Sequence, residues 1–359
     1  MKKMLFSAYS LDIGGIETAL ITLLNKLQDL DYDITLVLEK KQGIFLDKLN
    51  SKIKVIEYTP SSNKNIFIRK IKNMLKRVCF ILKYKNKFDF SASFATYSLA
   101  GSFVARTASK NSALWVHADY LTLFKGNVQK VEEFFEEREI NKFQHIVFVS
   151  KEGMESFINI FPQIQEQAIV CNNLIDYSKI IEKSKEKIEE TKEENCITFL
   201  NVGRHDEKQK RLVRIIEASK KLKEDNYGFK VFMVGDGQDT NFYQNLVKKE
   251  NLQENIIFLG RKQNPYPYFN ISDCVILTSD YEGYPVVFLE SMILNKPIIT
   301  TKVSDFEDIE GKFGYTTEKT VEDIYEKMKL FIENGFEIKE KFDAEKYNNE
   351  IIEKLEKIF

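Results

Sequence analysis

The sequence has few of the residues on which disulfide scaffolds and metal sites depend. Its 359 residues include only four cysteines and three histidines, and the cysteines are scattered without a Cys-x-x-Cys spacing. This excludes a disulfide-rich secreted fold and a zinc-ribbon type of domain. It favours a protein of a reducing compartment whose cysteines are small core side chains.

Long apolar runs and an excess of one charge are also missing. The N-terminus, MKKMLFSAYS, lacks the apolar stretch of a secretory signal, and no run approaches the roughly 20 apolar residues of a membrane span. Lys and Arg number 53 against 54 Asp and Glu, for a net charge of -1, so a globally basic nucleic-acid-binding protein is not expected. We expect a cytoplasmic protein, or one that lies on the inner face of the plasma membrane.

Short apolar, β-branched runs alternate with longer amphipathic segments along the whole chain. Strands that are apolar on both faces and separated by helices predict parallel sheets with helices on each side. The predicted strands lie within residues 4–10, 33–39, 54–59, 88–96, 112–119, 145–150, 168–173, 196–203, 229–237, 255–260, 274–279, 296–301 and 314–317.

The chain length and this alternation predict two tandem, doubly wound, Rossmann-like domains that face a cleft. We place the first domain at residues 1–175, a linker of mixed charge at 176–195 and the second domain at 196–341. Residues 342–359 form one amphipathic segment, predicted to be a helix. In open parallel sheets, ligands bind beyond the carboxyl ends of the strands. Candidate site residues are therefore sought just after each strand.

Glycine and histidine follow two strands of the first half. Gly14 and Gly15, in GGIE, precede a helical pattern, so their backbone could approach an anion at the helix N-terminus. A tight turn explains them equally well. His117 follows the strand that contains the only Trp and is a candidate catalytic group, with a structural role as the alternative.

Cations follow the first strand of the second half. Arg204, Lys208, Lys210 and Arg211 stand within VGRHDEKQKR. Such a cluster can stabilise the charge of a pyrophosphate leaving group, although a solvated surface loop would have the same composition.

Two acids flank the start of another helical pattern. Glu282 follows a strand in SDYEGYP, and Glu290 lies eight residues further on. On one continuous helix the two would lie about 12 Å apart on similar faces. This spacing is too long for a carboxylate pair that shares a proton, but it suits an elongated ligand that is bound at two points.

Other polar groups are expected to be structural. Asp29–Asp33 contains an Asp-x-Asp pattern, but it precedes a strand and is predicted to be a turn, so no metal site is expected. His145 precedes a strand and is expected to be structural, and for His205 both roles stay open.

Together these motifs resemble the family 4 (group 1) retaining glycosyltransferases of the GT-B fold. The resemblance covers nearly the whole chain and is densest between Cys196 and Asp308. It rests on the Glu-x7-Glu pattern of Glu282 and Glu290, on VGR…QKR…IIEA, on VGDG and on GGIE.

The resemblance implies a nucleotide-sugar donor as co-substrate, with UDP-hexose or UDP-N-acetylhexosamine as the default, and no metal or other cofactor. Glu282 would bind hydroxyls of the transferred sugar beside the backbone of its three following neighbours, and Glu290 would bind the ribose. Arg204 and Lys210 would neutralise the diphosphate. The three neighbours of Glu282 are Gly283, Tyr284 and Pro285.

On the same resemblance, Gly14 belongs to the glycine turn at the donor, Gly15 would leave room for its diphosphate, and His117 would contact its sugar. The final helix would cross back to the first domain. The chain departs from the family pattern at Leu174, where glycine is usual, and in EKQKR, where the key lysine could be Lys208 or Lys210.

The segment 64–87 is basic and amphipathic. Between Pro60 and Phe90 there are nine Lys or Arg residues and one acid, with apolar residues interleaved. Such a helix can lie on an anionic membrane, which would suit a lipid-linked or polysaccharide acceptor. A surface helix with its apolar face in the core is the alternative.

The expected function is sugar transfer in cell-surface glycan assembly. Two rivals remain: a non-catalytic GT-B paralogue that acts as a binding partner or chaperone of another glycosyltransferase, and a GT-B nucleotide-sugar epimerase, for which the few histidines give little support. The donor sugar, the acceptor, the linkage and the oligomeric state cannot be deduced from these residues.

Overall fold

The structure is a computed structural model that describes residues 1–12, 14–194 and 196–359. The chain divides into two compact units. Unit 1 comprises Met1–Ile175 and Asn348–Phe359, and unit 2 comprises Asp176–Tyr347. Each unit has its own parallel sheet.

The sheet of unit 1 is built from β1 (Lys3–Ala8), β2 (Asp33–Leu38), β3 (Lys54–Glu57), β4 (Phe90–Ser93), β5 (Ser112–Val116), β6 (His145–Phe148) and β7 (Ala168–Val170). All neighbours are parallel, in the order β3-β2-β1-β4-β5-β6-β7. Each strand overlaps a predicted apolar run. The residues of β4 and β5 are all buried, as expected of strands covered by helices on both faces.

The helices of the first part of unit 1 are α1 (Gly15–Asp29), α2 (Ile66–Tyr84), α3 (Leu99–Ala108), α4 (Tyr120–Leu123), α5 (Val128–Glu137) and α6 (Lys151–Ile160), with 3-10 turns at Leu46–Lys48, Ile140–Lys142 and Pro162–Gln167. Five of these helices begin where a polar side chain accepts a backbone N–H of the first turn. These N-cap residues are Asn65, Ser98, Asp119, Asn127 and Ser150.

The sheet of unit 2 is built from β8 (Ile197–Val202), β9 (Phe229–Val234), β10 (Ile256–Gly260), β11 (Cys274–Leu277), β12 (Ile298–Thr301) and β13 (Gly314–Thr317). The order is β10-β9-β8-β11-β12-β13, again all parallel. The helices are α7 (Tyr177–Lys183), α8 (Val213–Glu224), α9 (Thr240–Lys249), α10 (Tyr266–Asn270), α11 (Val286–Ile293) and α12 (Val321–Asn334), with a 3-10 turn at Phe306–Asp308. The prediction of two doubly wound α/β sheets is confirmed.

The segment predicted as a linker is fastened to unit 2. Asp176 caps α7, and three ion pairs hold the residues that follow. They are Glu190–Lys262 at 3.2 Å, Lys192–Asp273 at 2.5 Å and Glu193–Lys230 at 3.0 Å. Residue 195, where the predicted linker ends, lies outside the described residues.

Both sheets have a topological switch point, where the chain stops adding strands on one side and starts on the other. In unit 1 it lies between β1 and β4, and in unit 2 it lies between β8 and β11. The loops that leave two such strands diverge to opposite faces of the sheet and leave a crevice between them. The fold therefore directs attention to the residues after these four strands.

Helix α2 exposes its apolar side chains. Phe80 is its buried member, at 5% exposure, and packs against Tyr58, Tyr84 and Phe103 with ring centroids 4.8–5.9 Å apart. The other apolar residues of the segment are 36–79% exposed, with Phe67 at 79% and Leu82 at 76%. The alternative that the apolar face of this helix packs into the core is therefore wrong. Among the described residues, no helix has the length and apolar character needed to cross a bilayer.

Helix α13 (Ala344–Glu356) ends the chain and contributes to unit 1, whose last segment starts at Asn348. Ile351, Ile352, Leu355 and Ile358 are buried. The ring of Phe359 lies 4.7 Å from that of Phe90 in β4. Unit 1 thus depends on residues from both ends of the chain.

We expect Leu355→Ala to destabilise unit 1 by about 2–5 kcal/mol, because the leucine is 2% exposed and its loss leaves a cavity. Trp115, the only tryptophan, lies in β5, so its fluorescence in a urea titration reports the unfolding of unit 1. The control is Lys357→Ala, at an exposed site two residues away. Equal midpoints for both variants would contradict the packing described for α13.

Candidate functional site

Two loops meet at the switch point of unit 2: the β8 loop, residues 203–212, and the β11 loop, residues 278–285. The β8 loop can lie there because the loop after β9 has glycine where the two come closest. A Cβ on Gly235, whose φ is +151°, would lie 1.8 Å from the carbonyl oxygen of Gly203, and one on Gly237 would lie 2.2 Å from that of His205. Close backbone approach therefore accounts for the glycines of VGDG.

An ion pair joins the two loops. Lys210 Nζ lies 2.5 Å from Glu282 Oε1, and the two side chains are only 21% and 9% exposed. Ser279 Oγ donates to the same oxygen at 2.5 Å. The structure therefore brings together two residues that lie 72 positions apart and were both predicted for the donor site, and it places Lys210 rather than Lys208 at Glu282.

Gln209 extends this contact to the second predicted cation. Its amide nitrogen donates to Glu282 Oε2 at 3.3 Å and to the carbonyl oxygen of Tyr281 at 3.2 Å. Its amide oxygen accepts from Arg204 at 3.2 Å. The Arg204 side chain is 66% exposed, so its guanidinium stays available to an anion from solvent.

Asp280 fixes the two loops to each other from the other side. Its backbone N–H donates to the carbonyl oxygen of Gln209 at 2.8 Å, and its carboxylate pairs with Arg214 at 2.6 Å and Arg211 at 3.4 Å. Arg211 has a φ of +52°, an unusual conformation for a side chain of this size. Its ion pairs help to hold this turn.

Glu290 lies in a separate environment. It sits inside α11, is 8% exposed and accepts a hydrogen bond from the Tyr266 hydroxyl. Burial raises the pKa of the Glu290 carboxyl to about 7, while the tyrosine hydrogen bond opposes that rise. Because α11 begins at Val286, Glu282 precedes the helix and the two acids do not lie on one continuous helix face. The prediction that Glu282 lies in the turn and Glu290 within the helix is confirmed, and the 12 Å spacing of a continuous helix does not apply.

The residues between Glu282 and α11 can offer backbone to a ligand. Gly283 and Tyr284 lie in the bend before the helix, and the Tyr284 side chain turns inward, donating to Asp308 at 3.1 Å. Pro285 is the N-cap of α11 and has no backbone N–H. Of the three predicted neighbours, only Gly283 and Tyr284 can therefore donate a backbone hydrogen bond.

In unit 1, Gly14 and Gly15 stand at the start of α1, after β1. Gly14 has an extended backbone, and a Cβ there would lie 2.1 Å from the Glu17 carboxylate, which folds back over it. A Cβ on Gly15 would meet nothing within 4 Å among the described residues. Among the described residues, the packing of unit 1 thus does not require glycine at position 15.

His117, also in unit 1, is held in one tautomer. Its Nε2 lies 2.8 Å from the carbonyl oxygen of Phe94, which can only accept, so Nε2 bears the proton. Burial lowers the pKa of His117 to about 4, so the ring is neutral at pH 7 and Nδ1 can accept a hydrogen bond. The other two histidines have structural partners: His145 contacts Asn111, and the buried His205 contacts Thr240.

Sequence reasoning missed three residues of this site: Gln209, Ser279 and Tyr266. Ser279 stands three residues before Glu282, where a loop turn can bring its hydroxyl back, so the signal was present. Tyr266 lies in α10, 24 residues before Glu290, and no local pattern connects them.

A metal site of protein ligands is not evident. Among residues 1–12, 14–194 and 196–359, no three His, Cys, Asp or Glu side chains are grouped so as to hold an ion. Asp29 ends α1 and Asp33 begins β2, with Asp31 in a left-handed turn between them.

Comparison with known proteins agrees with this architecture. Residues 181–349 match the family described as glycosyl transferases group 1. An uncharacterised glycosyltransferase of Methanocaldococcus jannaschii is 26% identical over 242 residues, which cover 64% of this chain and 59% of the relative. The chain therefore spans less than two thirds of that protein.

A second relative is the Campylobacter jejuni N-acetylgalactosamine-N,N'-diacetylbacillosaminyl-diphospho-undecaprenol 4-alpha-N-acetylgalactosaminyltransferase. It is 26% identical over 310 residues, or 84% of this chain and 81% of the relative.

Solved structures share the whole fold. The crystal structure of Anabaena HepE with UDP and glucose superposes with a TM-score of 0.78 at 18% identity, over 99% of this chain and 100% of that one. The Staphylococcus aureus TarM structure, with UDP among its ligands, gives 0.76 at 14% identity, over 100% and 99%. The chain thus has the GT-B fold of these structures, and its residues 181–349 match the group 1 glycosyl transferase family.

Proposed function

We propose that the chain is a retaining, metal-independent glycosyltransferase that moves a hexose or N-acetylhexosamine from a UDP donor to a lipid-linked or polysaccharide acceptor in cell-surface glycan assembly. The observation that supports this most directly is the Lys210–Glu282 ion pair at the switch point of unit 2. It places a cation suited to a diphosphate beside a carboxylate suited to sugar hydroxyls.

The chemistry of each group fits one part of such a donor. As the glycosidic bond breaks, charge accumulates on the leaving diphosphate, and Arg204 and Lys210 can stabilise that charge without a metal ion. Glu282 accepts hydrogen bonds from sugar hydroxyls, and the N–H groups of Gly283 and Tyr284 can assist it. Glu290, once ionised, accepts from the two ribose hydroxyls. On this proposal His117 offers Nδ1 to the sugar and the Gly14–Gly15 turn accommodates the diphosphate.

The donor and acceptor are inferred from what related proteins are named for. The Campylobacter relative acts on a diphospho-undecaprenol substrate, and a Staphylococcus aureus relative, 26% identical over 163 residues, is a poly(ribitol-phosphate) alpha-N-acetylglucosaminyltransferase. One of these acceptors is a sugar linked to diphospho-undecaprenol, and the other is a phosphate polymer. A UDP donor is the choice that agrees with the UDP-bound HepE and TarM structures.

The first test is a panel of UDP-glucose, UDP-galactose, UDP-N-acetylglucosamine and UDP-N-acetylgalactosamine, with a chelator present throughout. We expect wild type to bind and slowly hydrolyse one of these donors. Glu282→Ala should lower that hydrolysis by about 10- to 100-fold, the effect of one or two hydrogen bonds to a charged group, and leave the affinity for UDP within about threefold.

Two variants complete this test. Glu282→Gln keeps the shape of the side chain in case alanine destabilises unit 2, and Glu254→Ala removes an exposed acid before β10 as a matched control. If wild type binds no donor, the non-catalytic paralogue becomes the better account of this chain. Loss of activity with chelator would contradict metal independence, and an inverted product anomer, seen by NMR, would contradict retention.

Glu290 should give the donor affinity a pH dependence. Because burial raises the pKa of its carboxyl to about 7, the ionised form that accepts from ribose is populated only above that pH. We expect the affinity for the UDP-sugar, whose esterified diphosphate does not titrate near neutrality, to rise with pH with a midpoint near 7. Tyr266→Phe, which removes a hydrogen bond that lowers this pKa, should move the midpoint upward.

Glu290→Gln is the control for this dependence and should bind weakly at every pH. Calorimetric titrations between pH 5.5 and 8.5 measure all three proteins. A Glu290→Gln variant with the same slope as wild type would show that another group titrates.

We also propose that α2 holds the protein on the inner face of an anionic membrane. The helix combines exposed apolar residues with a cluster of cations, and Phe80 anchors it to unit 1. Burial of apolar surface in the headgroup region and attraction to anionic lipid act together in such a helix, each cation adding about 1 kcal/mol.

Sedimentation with vesicles tests this membrane contact. We expect binding to phosphatidylglycerol-containing vesicles that weakens with salt, and little binding to phosphatidylcholine alone. Phe67→Ser with Leu82→Ser should weaken binding at least tenfold, since each exposed side chain can contribute about 1.5–3 kcal/mol. Ile44→Ser, at a 56% exposed site outside α2, is the control and should bind as wild type does. Equal vesicle binding by wild type, the Phe67→Ser/Leu82→Ser double variant and Ile44→Ser would exclude α2 as the contact surface.

A further inference from the structure

We propose that Gln209 is a positioning residue that orients the Glu282 carboxylate for the sugar and connects it to the Arg204 guanidinium at the diphosphate end. This inference rests on the proposed donor site. The side chain of Gln209 contacts both groups, at 3.3 Å and 3.2 Å, and its backbone carbonyl accepts from Asp280 in the β11 loop. It is half-buried, so it is held in the crevice between the two loops.

The direction of these hydrogen bonds requires an amide. Arginine can only donate and an ionised carboxylate can only accept, so the residue between them must accept on one side and donate on the other. The side-chain amide of glutamine does both from one rigid plane. Lysine or glutamate at this position could serve only one of the two partners.

The number of hydrogen bonds that Glu282 can still accept shows why its contact with Gln209 matters. A carboxylate can accept about four hydrogen bonds. Oε1 already accepts from Lys210 and Ser279, at 2.5 Å each, whereas Oε2 accepts from Gln209. Oε2 is therefore the oxygen that can still accept a hydrogen bond from a substrate hydroxyl. The contact with Gln209 fixes the plane of the carboxylate and so the direction of that hydrogen bond. Loss of Gln209 would leave the carboxylate tethered at Oε1 alone, free to turn about that tether.

The experiment compares Gln209→Met with wild type, using UDP and the UDP-sugar that wild type hydrolyses in the panel above. Methionine keeps the length of the side chain but cannot bridge the two partners. We expect the affinity for UDP to stay within about threefold, because Arg204 and Lys210 remain, and kcat/KM for donor hydrolysis to fall about 10- to 100-fold. Gln253→Met, at an exposed site before β10, is the control and should match wild type.

Gln209→Glu supplies a readout that a purely structural role would not change. Two carboxylates in contact resist ionising together, so one pKa of the pair is raised. Above that pKa both are charged and neither donates, whereas below it the protonated carboxyl can donate as the amide does. We expect this variant to be nearly inactive at pH 8. Its activity as a fraction of wild-type activity at the same pH should rise toward pH 6, and this ratio removes the contribution of Glu290, which both proteins share.

The possible outcomes separate the inference from the proposed function. Three results would each overturn the positioning role and leave the proposed enzyme activity intact. They are an unchanged kcat/KM in Gln209→Met, an equal loss of affinity for UDP and UDP-sugar in that variant, and no relative recovery of Gln209→Glu activity at low pH. Wild type that binds neither UDP nor any donor would overturn the proposed function, and the inference with it. Melting curves of all variants show whether unit 2 remains folded.

Discussion

The half-buried ion pair between Lys210 and Glu282 is the contact on which the arrangement of unit 2 depends. Placing a carboxylate at 9% exposure is unfavourable unless its charge is paired and its lone pairs are satisfied. Here lysine pairs with the charge, and Ser279 and Gln209 add two hydrogen bonds. The same contacts that stabilise the buried acid fix its orientation. A site for sugar hydroxyls and a site for phosphate are thus built as one unit.

That contact is possible because β8 and β11 are neighbours in the sheet although two strands and three helices separate them in sequence. The pairing of Phe199 with Cys274 and of Leu200 with Val275 brings the ends of both strands to the same edge. The β8 loop then needs space, which Gly235 and Gly237 provide from the neighbouring loop. Glycines that resemble a nucleotide-binding motif therefore have a packing role in this chain, whereas a Cβ on Gly15 in unit 1 would contact none of the described residues.

Unit 1 contributes different properties. The residue after β5, His117, is neutral and has an Nδ1 that can accept a hydrogen bond, and helix α2 leaves most of its apolar residues exposed. Phe80 is the one buried side chain of this helix among the described residues, so the helix buries little apolar surface on its own unit. The combination of exposed apolar and basic side chains is what gives the proposed membrane contact its physical basis.

The sequence by itself determined the strands, because runs that are apolar on both faces can be stable only inside a layered α/β sheet. It also determined the candidates Arg204, Lys210, Glu282 and Glu290, since charged groups just beyond the strands of a parallel sheet lie where ligands bind. Only the tertiary structure decided which lysine meets Glu282 and that Gln209 and Tyr266 belong to the site. These contacts join residues that strand order brings together, and strand order is a property of the whole sheet rather than of any local pattern. The exposure of α2 was likewise decided by the fold, because an amphipathic pattern is the same whether its apolar face meets a core or a membrane.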